Sequence, residues 1–164
     1  MATLRDFASP GRAAGIRSTA PACKPTVDEP LRCVWTVRSA AGSPAAVRRV
    51  LRARIAAWGG DPEVAFDAAL LATELLTHAY LNCGPQALCR VEVEREAWGF
   101  RLTVADPHPA MPTRRRLGVW DEAGCSVRLL EALALRWGAE AGGAEAAGKR
   151  VWAELAVRCA ACGE

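Results

Sequence analysis

The spacing of apolar and polar residues along the chain predicts five strands and three helices. The expected strands cover 32–38, 87–94, 100–104, 137–141 and 150–157, and the expected helices cover 44–58, 62–82 and 126–137. Strand 87–94 alternates Val91 and Val93 with Glu92 and Glu94, as a half-buried strand does. This order of elements predicts an α+β fold, a two-layer sandwich in which a mixed, mainly antiparallel sheet carries helices on one face.

Two helix starts have the same sequence pattern. Ser43-Pro44 and Asp61-Pro62 each place a capping residue before a proline at the first helical position. The first helix has apolar residues at helical spacing and four arginines, at 48, 49, 52 and 54, over its other surface. These arginines leave two alternatives open: a solvated face, or a docking surface for an acidic protein.

The central helix is apolar nearly all the way round, as expected for a buried helix. Between Ala68 and Cys89 its one formal charge is Glu74, and His78 and Asn82 follow at intervals of one turn. Burying a carboxylate inside such a helix costs on the order of several kcal/mol, unless the group is paired with a positive charge or takes part in the chemistry of a site. Glu74 is therefore a candidate general base.

Two other residues suggest a ligand site. Asp106 ends a strand and opens a long irregular loop, 107–123, which contains three consecutive arginines at 114–116. Loops of this length are usually functional lids or disordered segments. Gly124 precedes the third predicted helix, whose free N–H groups are suited to bind phosphate.

Composition and charge narrow the range of functions. The chain has 164 residues and a mild net charge of +3. Its basic residues are almost all arginine, and with the abundant alanine and glycine this bias is typical of GC-rich codon usage. The arginines are therefore weak support for nucleic-acid binding. We expect a disordered arm at 1–30, one domain at 31–158 and a short tail at 159–164. Cys159 and Cys162 form a CxxC, but no second pair among the seven cysteines has zinc-site spacing. No apolar run is long enough for a signal peptide or a membrane span, which predicts a cytoplasmic protein without membrane contact.

Taken together and in this order, four segments resemble the histidine kinase-like (GHKL) ATPase family. ATELLTHAY resembles its N-box, VADPHP its first glycine box, EAGCSVRLLEALALRWG its second glycine box and GKRVWAEL its closing strand. The resemblance spans about 32–157 and is nearest to the anti-sigma factor branch of serine/threonine protein kinases. It implies a Bergerat-type ATP-binding fold.

The resemblance also implies a role for each matching residue. Glu74 would be the base that activates a water or a substrate serine. Asp106 would contact the adenine amino group, and Gly124 with Ser126 and Val127 would lie at the triphosphate of ATP. The residue at His78 would hold Mg²⁺.

Two departures from the family pattern favour an alternative function. His78 stands where the family has an asparagine, and imidazole is a poor ligand for a hard ion such as Mg²⁺. Ser126 replaces the second glycine of the second glycine box. His108 replaces the glycine of the first, a variant that relatives in the anti-sigma factor branch often carry. The alternatives are thus an ATP-binding regulator that phosphorylates a partner, and a degenerate, inactive member that acts as a protein-binding module.

Partners follow from the same resemblance. It implies that the protein controls transcription by binding a sigma factor, an antagonist of the anti-sigma factor, or both, and relatives are often homodimers. Direct contact with nucleic acid is not expected, because the sequence has no recognisable helix-turn-helix.

Overall fold

The computed structural model describes residues 2–3, 31–112, 122–142 and 148–156, with side chains from residue 31 onwards except those of 122–126. The strands are β1 (Ala2–Thr3), β2 (Leu31–Arg38), β3 (Leu88–Glu96), β4 (Gly99–Asp106), β5 (Arg136–Ala141) and β6 (Lys149–Ala156). The helices are α1 (Ser43–Ala57), α2 (Pro62–Cys83) and α3 (Glu122–Leu133). Apart from β1, the predicted arm at 1–30 lies outside the described residues, as do the tail at 159–164 and the arginines at 114–116.

The strands form one sheet in the order β1-β2-β3-β4-β6-β5. All pairs from β2 to β5 are antiparallel, and only the two-residue β1 pairs in parallel, with β2. The predicted α+β class and mainly antiparallel sheet are confirmed. The hairpin of β3 and β4 is also confirmed, with Glu96 opposite Gly99.

The core lies between the sheet and the helices. Alternate residues of the central strands, such as Val91 and Val93 in β3 and Leu102 and Val104 in β4, are almost fully buried against Leu51 of α1 and residues of α2 and α3. This two-residue period is what a sheet covered by helices on one face requires. The helix-covered face therefore contains the hydrophobic core.

Helix boundaries confirm one predicted cap and correct another. The Asp61 carboxylate accepts a hydrogen bond from Val64 N at 2.8 Å, so α2 begins as predicted. Ser43 is not the N-cap of α1: the N-cap is Gly42, and Ser43 Oγ instead donates to the carbonyl of Arg38. The hydroxyl thus fixes the connection between β2 and α1.

The third helix begins and ends earlier than the sequence pattern predicts. It runs over Glu122–Leu133 rather than 126–137, and Trp137 belongs to β5, where it pairs with Ala153. The chain leaves the helix at Ala134, and Leu135 N already donates to Glu154 O at 2.8 Å. Formation of these sheet hydrogen bonds ends the helix before Trp137.

On the opposite face of the sheet, the described residues place charged side chains and no helix. Glu92 and Glu154 are 3% and 6% exposed, because arginines from neighbouring strands lie over them. Arg32 and Arg90 pair with Glu92, and Arg101 and Arg136 pair with Glu154. Opposite charges on adjacent strands stabilise the sheet here.

A tryptophan covers a glycine on this open face. Trp152 faces Gly138 across the β5–β6 pair, and a Cβ on Gly138 would lie 2.6 Å from the indole ring. The guanidinium of Arg101 lies 4.4 Å from the centre of the Trp152 ring. The glycine lets the indole lie flat on the sheet backbone under the arginine.

α2 is long and apolar enough to cross a membrane by length and composition, and half of that stretch is buried inside the fold. The core helix of a water-soluble domain passes the same test, so the predicted location stays a prediction. Among the described cysteines, Cys33 and Cys89 are buried and Cys83 is half-buried, and all three are free thiols.

Candidate functional site

The predicted site residues Asp106 and His78 lie near each other, where the ends of β4 and α2 meet the start of β6. Asp106 is the last residue of β4 and pairs in register with Lys149, the first residue of β6. Both side chains point to the helix-covered face, and they are 3% and 2% exposed. Lys149 Nζ lies 3.0 Å from Asp106 Oδ1. The carboxylate is therefore engaged in a buried ion pair.

Asp106 Oδ1 accepts a second hydrogen bond. His108 N donates to it at 2.8 Å, which closes a tight turn at the end of the strand. Lys149 Nζ donates in addition to the carbonyl of His108 at 3.1 Å. The turn and the ammonium group thus hold each other in place.

Two histidines lie close together at the same place. The rings of His78 and His108 meet edge to face, with centroids 6.0 Å apart. Burial, and then the positive charge of Lys149, lower the pKa of His78, with a smaller opposite effect from Asp106. His78 is therefore a neutral imidazole at neutral pH, and His108 Nδ1 is buried without a hydrogen-bond partner among the described residues.

Glu74 is more accessible than the sequence suggested. The prediction of a buried carboxylate is wrong: the side chain is only half-buried, one turn before His78 on α2. Within the part of the chain that the structure describes, it makes no hydrogen bond or ion pair. The apolar run around it reflects the packing of the rest of α2, since Glu74 itself lies on the flank of that helix.

Asn82 lies too far along α2 to act as a ligand at the position of His78. Its side-chain nitrogen donates to the carbonyl of His78 at 2.7 Å, within the same helix. A position four residues later is displaced by about 6 Å along the helix axis. Asn82 is therefore a local contact near the end of α2.

The backbone of α3 changes the interpretation of Gly124. Since α3 begins at Glu122, Gly124 lies inside the first turn and does not precede the helix. Its N–H group still belongs to the four that have no partner within the helix. The side chains of residues 122–126, Ser126 among them, lie outside the described part of the structure. The Val127 side chain is in the core, and the residue is 2% exposed. Only the backbone of Val127 is suited to contact a ligand.

The described residues fit neither Mg²⁺ nor an adenine amino group as they stand. Across 31–112, 127–142 and 148–156, no group of three or more His, Cys, Asp or Glu side chains is arranged to hold a metal ion. His78 offers a neutral nitrogen where Mg²⁺ requires oxygen. Oδ1 of Asp106, the residue that the resemblance implies as an adenine acceptor, already accepts hydrogen bonds from Lys149 Nζ and His108 N.

Lys149 is the site residue that sequence reasoning missed. The resemblance gives the segment GKRVWAEL the role of a closing strand only, although the alternation of its residues indicates which side chains face the core. Lys149 shares the two-residue period of Val151, Ala153 and Leu155, which places it on the buried face of β6. A lysine on that face requires an acidic partner, and Asp106 is the nearest predicted one.

The nearby thiols are unsuited to nucleophilic chemistry. Burial, with an addition from the negative charge of Asp106, raises the pKa of Cys89 to about 12. Burial also raises the pKa of Cys83. Because the thiolate is the reactive form, neither cysteine is a candidate nucleophile at neutral pH.

Comparison of the chain with models of known protein families gives no match, and comparison with curated proteins gives none either.

Proposed function

We propose that this chain is a regulatory protein-binding module on a histidine kinase-like fold, which acts without ATP. The observation that carries the proposal is the buried ion pair of Lys149 and Asp106. The resemblance of VADPHP to a first glycine box makes Asp106 the adenine acceptor, and here an ammonium group of the chain itself occupies it.

The energetics of the pair support this proposal. Oδ1 of Asp106 already accepts from Lys149 and from His108 N, so an adenine amino group that used this oxygen would have to displace Lys149 and leave a buried ammonium without its counter-charge. Breaking a buried ion pair costs about 3–5 kcal/mol. A neutral amino group makes a hydrogen bond worth only about 0.5–1.5 kcal/mol net, so it does not offset that loss.

The test is a calorimetric titration of ATP into the purified full-length protein, with and without Mg²⁺. We expect no binding heat in either condition. Lys149→Ser, which frees Asp106, should gain measurable nucleotide binding if it remains folded by circular dichroism. Wild-type binding that tightens with Mg²⁺ would refute the proposal.

One observation favours a second candidate function, an ATP- and Mg²⁺-dependent serine/threonine kinase that phosphorylates an antagonist of an anti-sigma factor. Glu74 is half-buried and unpaired among the described residues, which suits a general base that must reach a substrate hydroxyl. In this candidate, His78→Asn restores an oxygen ligand and strengthens Mg-ATP binding. Phosphate transfer to a candidate antagonist, lost in Glu74→Gln, would establish the kinase. In both candidates, a sigma factor or its regulator is the proposed partner.

A further inference from the structure

α2 carries an exposed stripe on the side away from the sheet. Phe66 and Leu81 are 54% and 57% exposed, and between them Leu70 and Thr73 are half-exposed and Thr77 is exposed. At 3.6 residues per turn these five residues fall within about 80° of the helix surface. They form one line along the helix, which we call the α2 stripe.

The border of the α2 stripe towards α1 is basic. α1 contains four arginines and no acidic residue, and Arg48, Arg49 and Arg52 are exposed. Arg48 Nη1 donates to Thr73 Oγ1 of the stripe at 3.2 Å, so this row of arginines lies directly beside it. The surface formed by the α2 stripe and the three exposed arginines is called the α1–α2 groove below.

The far border is acidic. Glu63, Asp67 and Glu74 lie on the flank of α2 that faces away from α1, by the same helical geometry, and Asp67 lines a cavity together with Leu133 and Leu135. The apolar line thus runs between a basic side and an acidic side. A ligand that fits the basic side must carry negative charge on the flank that faces α1, with apolar groups beside it.

We propose that the α1–α2 groove binds an amphipathic helix of a partner protein, with the partner's acidic flank towards α1. In helix recognition the bound helix presents apolar anchors along one face, and these would pack along the α2 stripe, whose apolar members are Phe66, Leu70 and Leu81. The exposed arginines of α1 select a partner helix with acidic residues on the flank that faces them. This inference rests on the proposed function and names the class of partner that it requires.

The same residues favour a protein helix over an anionic membrane surface. Thr73 and Thr77 interrupt the stripe at its middle, and the acidic flank would face the lipid headgroups. Polar groups in the middle of the stripe are costly to bury in hydrocarbon. The hydroxyl of Thr73 already donates to Ala69 O at 2.8 Å, so a protein helix can pack over it without leaving it unsatisfied.

The experiment measures the binding of fluorescent synthetic peptides to the full-length protein by anisotropy. The probe is an amphipathic helix of about five turns, with leucines on one face and glutamates along one flank. A second peptide replaces the glutamates with lysines, and a third has the probe's composition in scrambled order. We expect binding of the probe only.

Matched variants locate the site. Arg52→Glu and Leu81→Ser should each weaken probe binding by about tenfold or more, equivalent to about 1.4 kcal/mol. Arg95→Glu reverses an exposed charge elsewhere, and Leu88→Ser removes a leucine that is also 57% exposed, on β3. Both controls should bind the probe as the wild type does.

Each other outcome overturns the proposal. If the control variants lose as much probe binding as Arg52→Glu and Leu81→Ser do, the probe does not bind at the groove. If the scrambled peptide binds as tightly as the probe, the attraction is non-specific. If the protein binds vesicles that contain phosphatidylserine but not the probe, and Leu81→Ser abolishes the vesicle binding, the groove is a membrane-binding surface. Absence of binding to any of these ligands removes the groove as a site but leaves the proposed function standing, because the ATP titration decides that separately.

Discussion

The buried pair of Lys149 and Asp106 makes each residue depend on the other. Together they are nearly shielded from solvent, and one ammonium group satisfies both a carboxylate and the carbonyl of His108. A pair of this kind contributes little net stability compared with apolar residues, but either member alone is an uncompensated buried charge.

We therefore expect Lys149→Met to lower the free energy of unfolding by about 3–5 kcal/mol, measured by urea denaturation. The double variant Lys149→Met with Asp106→Leu should recover most of this loss, since it removes both charges. Additive losses in the double variant would contradict the predicted coupling.

His78 gives a pH dependence with a defined sign. Because burial and Lys149 lower its pKa below 6.5 in the folded state, the unfolded chain binds more protons at mildly acidic pH. The contribution of His78 to stability is thus present at neutral pH and is lost as the pH falls below about 6.5.

The free energy of unfolding, measured with urea, should accordingly decrease from about pH 7.5 to about pH 5.5. This decrease should be smaller in His78→Gln, because glutamine cannot titrate. The imidazole resonances provide a direct check by NMR, where His78 should titrate below 6.5. If the free energy of unfolding of the variant falls with pH as much as that of the wild type, His78 is not the cause of the pH dependence.

For individual residues, the sequence indicates some members of the site but not others. Asp106 and Glu74 are conspicuous because polar residues in apolar runs require an explanation. Lys149 was missed because its partner is 43 residues away, and only the β4–β6 register brings them together. The half-exposed state of Glu74 depends on which flank of α2 the sheet and the other helices cover.

The elements around the site meet through one tight connection. Gly148 has a φ of +125°, and a Cβ there would lie 2.0 Å from the Asp106 carbonyl oxygen. Lys149 follows directly, so the backbone at Gly148 sets where β6 begins and where its lysine points. A side chain at this position would separate the ends of β4 and β6.

Gly148→Ala should lower stability by about 1–3 kcal/mol because of this overlap and the positive φ. Gly42→Ala is the matched control, since a Cβ at Gly42 meets nothing within 4 Å and φ there is −85°. Thermal unfolding of both variants tests the comparison, and equal melting temperatures would argue against the close approach.

Element boundaries were predictable where local chemistry decides them. Asp61-Pro62 fixed the start of α2, because a side-chain cap and a proline act within a few residues. The end of α3 was predicted wrongly since the pairing of β5 with β6, distant in sequence, competes with the helix for Trp137. The alternation in β3 and β4 indicated their pairing correctly.

For the whole molecule, the core is composed of residues between Cys33 and Leu155. The arm at 1–30 contributes to the described structure only through the two-residue β1 at the edge of the sheet. Deletion of residues 1–30 should therefore leave the circular dichroism spectrum and a single cooperative unfolding transition intact. Loss of cooperativity would show that the domain extends beyond the predicted 31–158.

The position of β4 has a consequence for amide hydrogen exchange. β4 is flanked by β3 and β6 and covered by α2, so its amides should exchange with solvent only when the entire domain opens. Asp106 is the final residue of this slowest-exchanging strand. Its carboxylate is therefore held at a fixed point during local fluctuations, and a ligand must either match the ion pair as it stands or supply the free energy to break it.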